Sequence, residues 1–317
     1  MNIIITGSLA YDRIMDFKDR FREHILPDKI HILNVSFVID KLDEKFGGTA
    51  GNIAHNCKLL GLEPTIVGAV GKDFGKYSDY LKSRKFNIDN IKVFDDEYTS
   101  VANMITDLDD NQISAFYPGA MKYGHEVEIP KEFSSEDSLL VVAPSSQKEM
   151  ATRIKESQEK KIPYLFDPGQ QMTTLSKDDL WNGASKSAIS IFNDYEWQMF
   201  REKTSKELDD LTKLGSTIIV TQGAQGSIIY TAKGDEQIGV CPPKKVLDPT
   251  GAGDAYRTGI IAGFVNKWDW KTAGQVASCI SSYAVEEYGT QEHLPSLGDI
   301  CNRYKSNFGD ECPLDGN

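Results

Sequence analysis

The chain has 317 residues, of which 40% are hydrophobic and 26% are charged, a composition typical of globular proteins. Its formal net charge of −12 argues against a protein that binds nucleic acid or an anionic membrane, because either ligand would require a strongly basic face. The N-terminal residues do not resemble a secretion signal, and no apolar run is long enough for a membrane span. We therefore expect a cytoplasmic protein.

The five cysteines include no Cys-x-x-Cys pair, and their wide separation indicates reduced thiols. The five histidines are also dispersed, so the sequence does not predict a structural zinc site. The segment after Phe308 is rich in small and acidic residues, and we expect it to be mobile.

Short apolar runs alternate with amphipathic segments along the chain, a pattern that indicates repeated βα units. The sequence predicts an α/β fold with a doubly wound, mostly parallel sheet that is flanked by helices, in one domain that covers residues 1–317. The predicted strands are 2–6, 65–70, 138–143, 164–166, 188–192 and 217–221, and the predicted helices are 50–60, 147–160, 194–203 and 255–265.

Two segments interrupt this alternation. Residues 10–46 contain alternating apolar positions without a good helix, and residues 94–117 alternate around Asp109-Asp110-Asn111, which is typical of a hairpin. Together they predict a small β-sheet that is inserted at two points and covers one end of the core, as active-site lids do. An extension of the edge of the main sheet is the alternative.

The segment from Asp248 to Asp254, with the sequence DPTGAGD, lies before a predicted helix and is typical of an anion-binding loop. Gly251 and Gly253 on either side of Ala252 allow several backbone N–H groups to point the same way, and the helix adds its positive end. Asp254 would repel a bound phosphate, so its position suits a base that accepts a proton while charge develops on the loop. This predicts phosphoryl transfer to a hydroxyl. An aspartate that only caps the helix is the alternative.

Two polar segments nearer the N-terminus are candidates for binding a hydroxyl-rich ligand. In Gly47-Gly48-Thr49-Ala50-Gly51-Asn52 the glycines allow close approach to the backbone, and Asn52 offers both a donor and an acceptor. Asp12 follows the first buried strand, at the sheet edge where such folds bind ligands, and could accept two hydroxyl hydrogen bonds. An ordinary helix entry and an exposed turn aspartate are the alternatives.

Two further segments follow predicted strands. Asn193 and Glu196 form a pattern that predicts either a helix cap or an outer-shell site for Mg²⁺. The segment Thr221-Gln222-Gly223-Ala224-Gln225-Gly226 is followed by a strand and not by a helix, so we exclude a dinucleotide fingerprint. A contact with nucleotide phosphate and a simple hairpin remain the two interpretations.

Taken together, these segments resemble the ribokinase-type (PfkB) family of carbohydrate and nucleoside kinases. Its two signatures are the glycine-rich Gly-Gly-x-x-x-Asn segment and the Asp-x-Thr-Gly-Ala-Gly-Asp loop, and both are present here in the family's order. Within the family, the chain is most similar to bacterial adenosine kinases. The segments that carry this likeness are Thr6-Gly-Ser-Leu-Ala-Tyr-Asp12, Phe116-Tyr-Pro-Gly-Ala-Met121, Asp167-Pro-Gly-Gln-Gln171 and Asn193-Asp-Tyr-Glu-Trp197.

The resemblance implies a ribokinase-like fold and a role for each matching residue. Asp254 would be the general base for a 5′-hydroxyl, and Gly251, Ala252 and Gly253 would form the anion hole. Phe116 would stack on the nucleoside base, and Gln170 or Gln171 would hydrogen-bond the base edge or the sugar. Residues expected to hold the nucleoside are Ser8, Asp12, Gly48 and Asn52; those expected on the ATP side are Asn193, Thr221, Gly223 and Gly226, with Glu196 binding Mg²⁺ through water.

The expected reaction is the ATP-dependent conversion of adenosine to AMP, in purine salvage. A kinase for ribose or a related sugar is the alternative within the family, and a ligand-binding regulatory protein is the alternative outside enzymes. Two departures from the family affect base specificity, namely Gly169, where relatives have serine, and Ala102, where a lid strand of relatives can supply an aromatic ring. A monovalent cation could also take part, and the lid edges could pack on a second subunit to form a homodimer.

Overall fold

The computed structural model describes residues 1–26, 31–109, 111–133 and 137–314. In these residues, nine strands form one sheet in the order β13-β12-β11-β10-β9-β8-β1-β4-β5. The strands from β5 to β11 run parallel, whereas β12 and β13 are antiparallel to their neighbours. The strands are β1 (Asn2–Thr6), β4 (Pro64–Gly71), β5 (Ile91–Phe94), β8 (Ser138–Val142), β9 (Tyr164–Phe166), β10 (Ile189–Asn193), β11 (Thr217–Thr221), β12 (Ser227–Thr231) and β13 (Gly234–Ile238).

Helices cover both faces of this sheet, as the alternation of the sequence predicts. They are α1 (Phe21–His24), α2 (Thr49–Leu59), α3 (Gly75–Ser83), α4 (Gln147–Lys160), α5 (Lys177–Ser185), α6 (Asp194–Thr204), α7 (Leu208–Thr212), α8 (Ala252–Asn266), α9 (Trp270–Ala284) and α10 (Leu297–Phe308). Short 3-10 helices span Gly119–Glu126, Gly169–Thr173 and Gly223–Gln225.

The central strands are buried on both faces, which explains why they are continuous apolar runs in the sequence. In β1, Ile3 and Ile5 pack on one face with α2, α3, α8 and α9, whereas Ile4 packs on the other face with α4 to α7. Because side chains alternate along a strand, one apolar run supplies both layers of the core. The doubly wound arrangement is thereby confirmed.

A second, four-stranded sheet has the order β3-β2-β6-β7 and is separate from the main sheet. Its strands come from the two segments that interrupt the alternation: β2 (Ala10–Asp16), β3 (Lys41–Gly47), β6 (Ser100–Thr106) and β7 (Gln112–Tyr117). The β6–β7 hairpin has the predicted place in the chain, although Asp110 of its turn lies outside the described residues. The small sheet is therefore confirmed, and an extension of the main sheet's edge is wrong.

The C-terminal segment differs from the sequence prediction. Cys301 and Cys312 form a disulfide, so the expectation that all five thiols are reduced is wrong for this pair. Cys312 and Leu314 are buried with residues of α9 and α10, so this part of the segment packs against the helices instead of forming a mobile tail, whereas residues 315–317 lie outside the described residues. Apolar contact with α10 thus outweighs the polar composition of this segment.

In the described part of the chain, none of the helices combines the length and the apolar character that crossing a membrane requires.

Candidate active site

A cavity of about 360 Å³ opens where the main sheet and the small sheet meet. We call it the acidic cavity because Asp12, Asp167, Glu196 and Asp254 line it. It lies at the carboxyl ends of β1, β9, β10 and β11, where open α/β sheets bind ligands. Of the predicted site residues, Ser8, Asp12, Gly48, Asn52, Phe116, Gln170, Asn193, Glu196, Thr221, Gly251, Gly253 and Asp254 line this cavity.

A neighbouring cavity of about 450 Å³ has no charged side chain among its described lining residues, and we call it the neutral cavity. The predicted residues Gly223, Gly226 and Ala252 line it. Thr221 and Gly253 line both cavities, so the two adjoin at the glycine loop. This arrangement suits two ligands whose reacting ends meet at that loop.

The glycine loop leads into a helix, as the sequence predicts, but the helix begins three residues before the predicted residue 255. Helix α8 begins at Ala252, directly after Gly251, whose φ of 82° lies in the left-handed region that favours glycine. A β-carbon on Gly251 would also approach Cγ2 of Thr290 to 2.9 Å. Asp248 fixes the loop by accepting hydrogen bonds from the backbone N–H groups of Thr250 (2.9 Å) and Gly289 (3.1 Å).

Asp254 lies in the first turn of α8, with its carboxylate close to the loop. Its side chain is 12% exposed, and its Oδ2 accepts a hydrogen bond of 2.8 Å from Nδ2 of Asn52. Burial raises the pKa of Asp254 to about 6, although the charge of Arg257 and the Asn52 hydrogen bond act in the opposite direction. At neutral pH the carboxylate is ionised and can accept a proton.

The amide of Asn52 is fixed by two residues from the far end of the sequence. Its Oδ1 accepts hydrogen bonds from Oγ1 of Thr290 (2.7 Å) and Nε2 of Gln291 (3.0 Å). Because Thr290 and Gln291 both donate to Oδ1 of Asn52, its Nδ2 points to Asp254. Neither Thr290 nor Gln291 was predicted, since each lies almost 240 residues from Asn52 and belongs to no motif.

Asp12 enters the acidic cavity from β2 of the small sheet. Burial, together with the nearby charges of Asp254 and Asp248, raises its pKa to about 7. Gly47 lies on the neighbouring strand β3, where it pairs with Ala10, and a β-carbon at Gly47 would collide with the Asp12 carboxylate. The first glycine of the Gly-Gly segment therefore provides the space that Asp12 occupies.

Ser8 lines the acidic cavity, but its hydroxyl is already engaged with the start of α2. Its Oγ accepts a hydrogen bond of 3.0 Å from the backbone N–H of Thr49 and lies 3.2 Å from Oγ1 of Thr49. Gly48, the cap position, has a φ of 85°, and a β-carbon there would lie 2.5 Å from the Ser8 carbonyl oxygen. Ser8 thus caps α2 from a distant part of the chain.

The small sheet supplies an aromatic ring to the acidic cavity. Phe116 on β7 is 51% exposed and pairs with Ala102 on β6, which also lines the cavity. Of the two predicted glutamines, Gln170 lines the cavity, whereas Oε1 of Gln171 accepts a hydrogen bond of 2.5 Å from Oγ1 of Thr174. The structure therefore brings Gln170, but not Gln171, to the site.

Asn193 and Glu196 form a complete capping box at the start of α6. Oδ1 of Asn193 accepts from the Glu196 N–H (2.7 Å), and Oε2 of Glu196 accepts from the Asn193 N–H (2.8 Å). Both side chains also line the acidic cavity, so capping and ligand binding are compatible. Burial and the charge of Asp167 raise the pKa of Glu196. A cation bound beside this carboxylate would stabilise its ionised form.

The described residues contain no group of three His, Cys, Asp or Glu side chains that could enclose a metal ion. Mg²⁺ does not require such a cage, because it usually keeps several waters and is held by one or two carboxylates together with substrate phosphates. The donor set of Glu196 and Asn193 fits that mode of binding.

Sequence patterns also missed an ion pair in the acidic cavity. Arg257, one turn after Asp254 on α8, donates from Nη2 to Oδ1 of Asp167 (2.7 Å), and its Nε contacts Oδ2 of the same carboxylate. Its Nη1 lies 4.0 Å from Oδ1 of Asp254. The spacing of three residues from Asp254 was the one available signal, since residues three apart share a helix face.

A family model described as pfkB family carbohydrate kinase matches residues 16–297, which is most of the chain. The chain belongs to the pfkB family of carbohydrate kinases. As a pfkB kinase it is a phosphotransferase with an alcohol group as acceptor, and the predicted family, fold class and enzyme class are confirmed. ATP as phosphoryl donor, with Mg²⁺, agrees with this membership.

Two relatives of this pfkB kinase resemble it over nearly its whole length. A nucleoside kinase from Methanothermobacter thermautotrophicus is 33% identical over 99% of this chain and 98% of its own. The structure of a Burkholderia thailandensis nucleoside kinase in complex with inosine has a TM-score of 0.87, is 34% identical and covers 98% of this chain and 99% of its own. A ribokinase from Thermotoga maritima, at 17% identity and a TM-score of 0.79, shares the fold over 97% of this chain and 100% of its own.

Proposed function

We propose that the protein transfers the γ-phosphoryl group of ATP to the 5′-hydroxyl of a nucleoside, and that adenosine is the preferred acceptor. The observation that carries this proposal is the composition of the acidic cavity. A buried base on the glycine loop, a second carboxylate on β2 and an exposed aromatic ring on β7 line the same space. A nucleoside presents a hydroxyl, a ribose and a flat base to these three groups.

The carboxylate of Asp254 takes the proton of the 5′-hydroxyl, and the hydroxyl oxygen forms a bond to the γ-phosphorus. The bond between that phosphorus and the bridging oxygen of ADP breaks, and ADP leaves with the electron pair. The N–H groups at Gly251, Ala252 and Gly253, at the positive end of α8, stabilise the charge that develops on the transferred group. In phosphoryl transfer, positioning and electrostatic stabilisation account for most of the rate.

On the acceptor side, the carboxylate of Asp12 binds the two ribose hydroxyls, and the Phe116 ring stacks on the base. Gly48 allows the sugar to approach the backbone, and Gln170 hydrogen-bonds the base edge. Ser8 and Asn52 act by holding the start of α2 and the Asp254 carboxylate. Gln171 is the predicted substrate contact with the least support, because its side chain is hydrogen-bonded to Thr174.

On the donor side, the neutral cavity takes the adenosine part of ATP, with Thr221, Gly223 and Gly226 along its wall. Its uncharged lining suits a purine ring, and the phosphates reach the glycine loop that both cavities share. Asn193 and Glu196 would hold Mg²⁺ through its waters, and the ion would supply positive charge to the ATP phosphates. The small sheet, formed by β2, β3, β6 and β7, acts as a lid over the acceptor.

The relatives support a nucleoside as the acceptor. Proteins named nucleoside kinase match nearly the full chain, and the Burkholderia thailandensis protein has been solved with inosine and with ADP and inosine together. Inosine differs from adenosine at one exocyclic group, so inosine is the second candidate acceptor for this chain. The exposed face of Phe116 does not distinguish them, because stacking tolerates either base.

The test is ADP formation from ATP with adenosine, inosine, guanosine, cytidine, ribose and fructose 6-phosphate, each at a range of concentrations. We expect the highest kcat/KM for adenosine, followed by inosine, and a much lower value for ribose because it has no base to stack on Phe116. A higher kcat/KM for ribose or fructose 6-phosphate would show a sugar kinase. Ligand binding without ADP formation for any acceptor would show a regulatory protein.

A further inference from the structure

Phosphoryl transfer in this cavity requires positive charge, and the chain as a whole carries a net charge of −12. Four of the residues that line the acidic cavity are carboxylic acids, whereas Arg257 is the one cationic side chain among its described lining residues. The repulsion between four carboxylates and the ATP phosphates cannot be offset by the helix end alone, since a helix terminus corresponds to about half a unit charge. Arg257 therefore provides a full positive charge where one is needed.

Arg257 lies directly against the glycine loop. A β-carbon placed on Gly253 would be only 2.5 Å from Nη1 of Arg257, so this nitrogen covers one side of the loop backbone. Gly253 lines both cavities, and Arg257 lines the acidic one. The guanidinium thus sits beside the point at which donor and acceptor meet.

The remaining nitrogens of the guanidinium are held by Asp167, which is 1% exposed. Nη2 donates to Oδ1 of Asp167, and Nε contacts Oδ2, so the carboxylate holds one edge of the planar guanidinium. In the described part of the chain, Nη1 makes no hydrogen bond. Its neighbour Oδ1 of Asp254 lies 4.0 Å away, which is too long for one. The carboxylate thereby orients a free donor.

Burial lowers the pKa of Arg257, but the charges of Asp167 and Asp254 outweigh this effect and raise its pKa above the usual value. The guanidinium is therefore charged throughout the pH range in which a kinase works. It is 11% exposed, and so its charge is weakly screened by solvent.

We propose that Arg257 is a catalytic residue that donates a hydrogen bond from Nη1 to an oxygen of the transferred phosphoryl group. This inference rests on the proposed phosphoryl transfer and adds to it a side-chain donor beside the backbone donors of the glycine loop. Arg257 neither forms nor breaks a covalent bond in the step. The proton goes to Asp254, and the electron pair leaves with ADP. Its contact strengthens as charge moves onto the transferred oxygens.

The test variant must not leave a buried charge without a partner. Arg257→Gln alone would strand the Asp167 carboxylate, and an unpaired buried charge typically costs about 3–5 kcal/mol of stability. The double variant Arg257→Gln with Asp167→Asn removes both charges and keeps two amides that can pair. The control is Arg153→Gln with Glu149→Gln, which removes a buried Arg–Glu pair on α4 that lines neither cavity. Glu156, the second carboxylate beside Arg153, is 22% exposed and so remains in contact with solvent.

The first readout is kcat at pH 9, where Asp254 is ionised whether or not Arg257 is present. We expect the Arg257 double variant to lose about 10²- to 10³-fold in kcat, as for other single donors to a developing anion. The Arg153 double variant should keep a kcat close to that of the wild type. A wild-type kcat in the Arg257 double variant at pH 9 would overturn the proposal, because the residue would then act only on the pKa of Asp254.

The second readout needs no acceptor and so separates this inference from the proposed substrate. The affinity for MgADP is measured by calorimetry with and without aluminium fluoride, which mimics the transferring phosphoryl group. We expect the Arg257 double variant to bind MgADP as the wild type does and to lose the additional affinity that fluoride confers. Retention of that additional affinity would overturn the inference, whereas a wild type inactive towards nucleosides would overturn only the proposed function.

Discussion

Asp254 and Asp12 share one cavity and carry charges of the same sign, so each makes ionisation of the other less favourable. Burial is the main reason that the pKa of Asp254 rises to about 6 and that of Asp12 to about 7. Arg257 and Asn52 oppose the shift at Asp254, whereas Asp254 and Asp248 add to the shift at Asp12. The site therefore keeps its base ionised at neutral pH, while Asp12 is close to its midpoint.

This difference predicts the pH dependence of kcat/KM for the nucleoside. Both carboxylates must be ionised to act, and both pKa values are raised, so activity is lost as the pH falls through about 7 and then about 6. We expect the slope of log kcat/KM against pH to approach two below pH 6, because two protons are taken up. The measurement is a pH series from 5 to 9 in buffers of constant ionic strength.

The variant Asp12→Asn is the control for this profile. It cannot take up a proton at residue 12, so the slope should fall to one, and its remaining midpoint should lie lower because a neighbouring negative charge is gone. A flat profile between pH 5 and 8 in the wild type would contradict these assignments.

Residues within one motif could be predicted from the sequence, whereas their partners could not. The DPTGAGD segment predicts a glycine loop that leads into a helix with Asp254 at its mouth, because these features depend on adjacent residues, although α8 begins at Ala252 and not at the predicted residue 255. Arg257, Thr290 and Gln291 were missed because their importance depends on tertiary contacts with Asp167 and Asn52. Ser8 was assigned to the ligand, but its hydroxyl is bound to Thr49, a contact that no local pattern indicates.

At the scale of elements, the β6–β7 hairpin carries the group expected to recognise the base. Successive side chains of a strand point to opposite faces, so Phe116 lies on one face of β7 and Ile113 on the other. Both side chains are exposed, at 51% and 39%. Substituting each residue in turn therefore tests one face of β7 at a time, with little effect on the core.

Phe116→Ala should raise the KM for adenosine and leave the KM for ribose almost unchanged, because ribose has no base to stack. Stacking of a base on an aromatic ring is worth about 1–3 kcal/mol, which corresponds to a rise in KM of roughly 5- to 150-fold. Steady-state kinetics with both acceptors provide the measurement. Ile113→Ala is the control on the opposite face, and its KM for adenosine should remain that of the wild type.

If Phe116→Ala leaves the KM for adenosine unchanged, the ring does not stack on the base. An equal rise for ribose would indicate instead that the substitution disturbs the hairpin. Comparison of the two acceptors distinguishes these results.

At the scale of the whole molecule, the site lies where the order of strands reverses. From β1 the chain proceeds to β4 and β5 on one side of the sheet and then to β8, β9, β10 and β11 on the other. The loops after β1, β9, β10 and β11 therefore converge at one edge, and the small sheet approaches that edge with Asp12 and Phe116. Apolar runs predict the strands, and their alternation with helices predicts this edge as the binding site.

The C-terminal segment was not predictable in the same way. Its polar composition indicates a mobile tail, but Cys312 and Leu314 pack against α9 and α10, and Cys312 is joined to Cys301. A few buried side chains determine the position of such a segment. The overall composition of the segment does not reveal their effect. The β6–β7 hairpin of the small sheet, by contrast, was predictable because its alternation covers both strands.

The variant Asp254→Asn tests whether Asp254 accepts the proton of the 5′-hydroxyl. Asn keeps the size of Asp254 and can still accept the hydrogen bond from Asn52, so binding should survive. We measure kcat at pH 8 together with the calorimetric affinity for adenosine. We expect kcat to fall by about 10²- to 10⁴-fold while the affinity changes little. A kcat close to that of the wild type would show that Asp254 is not the proton acceptor.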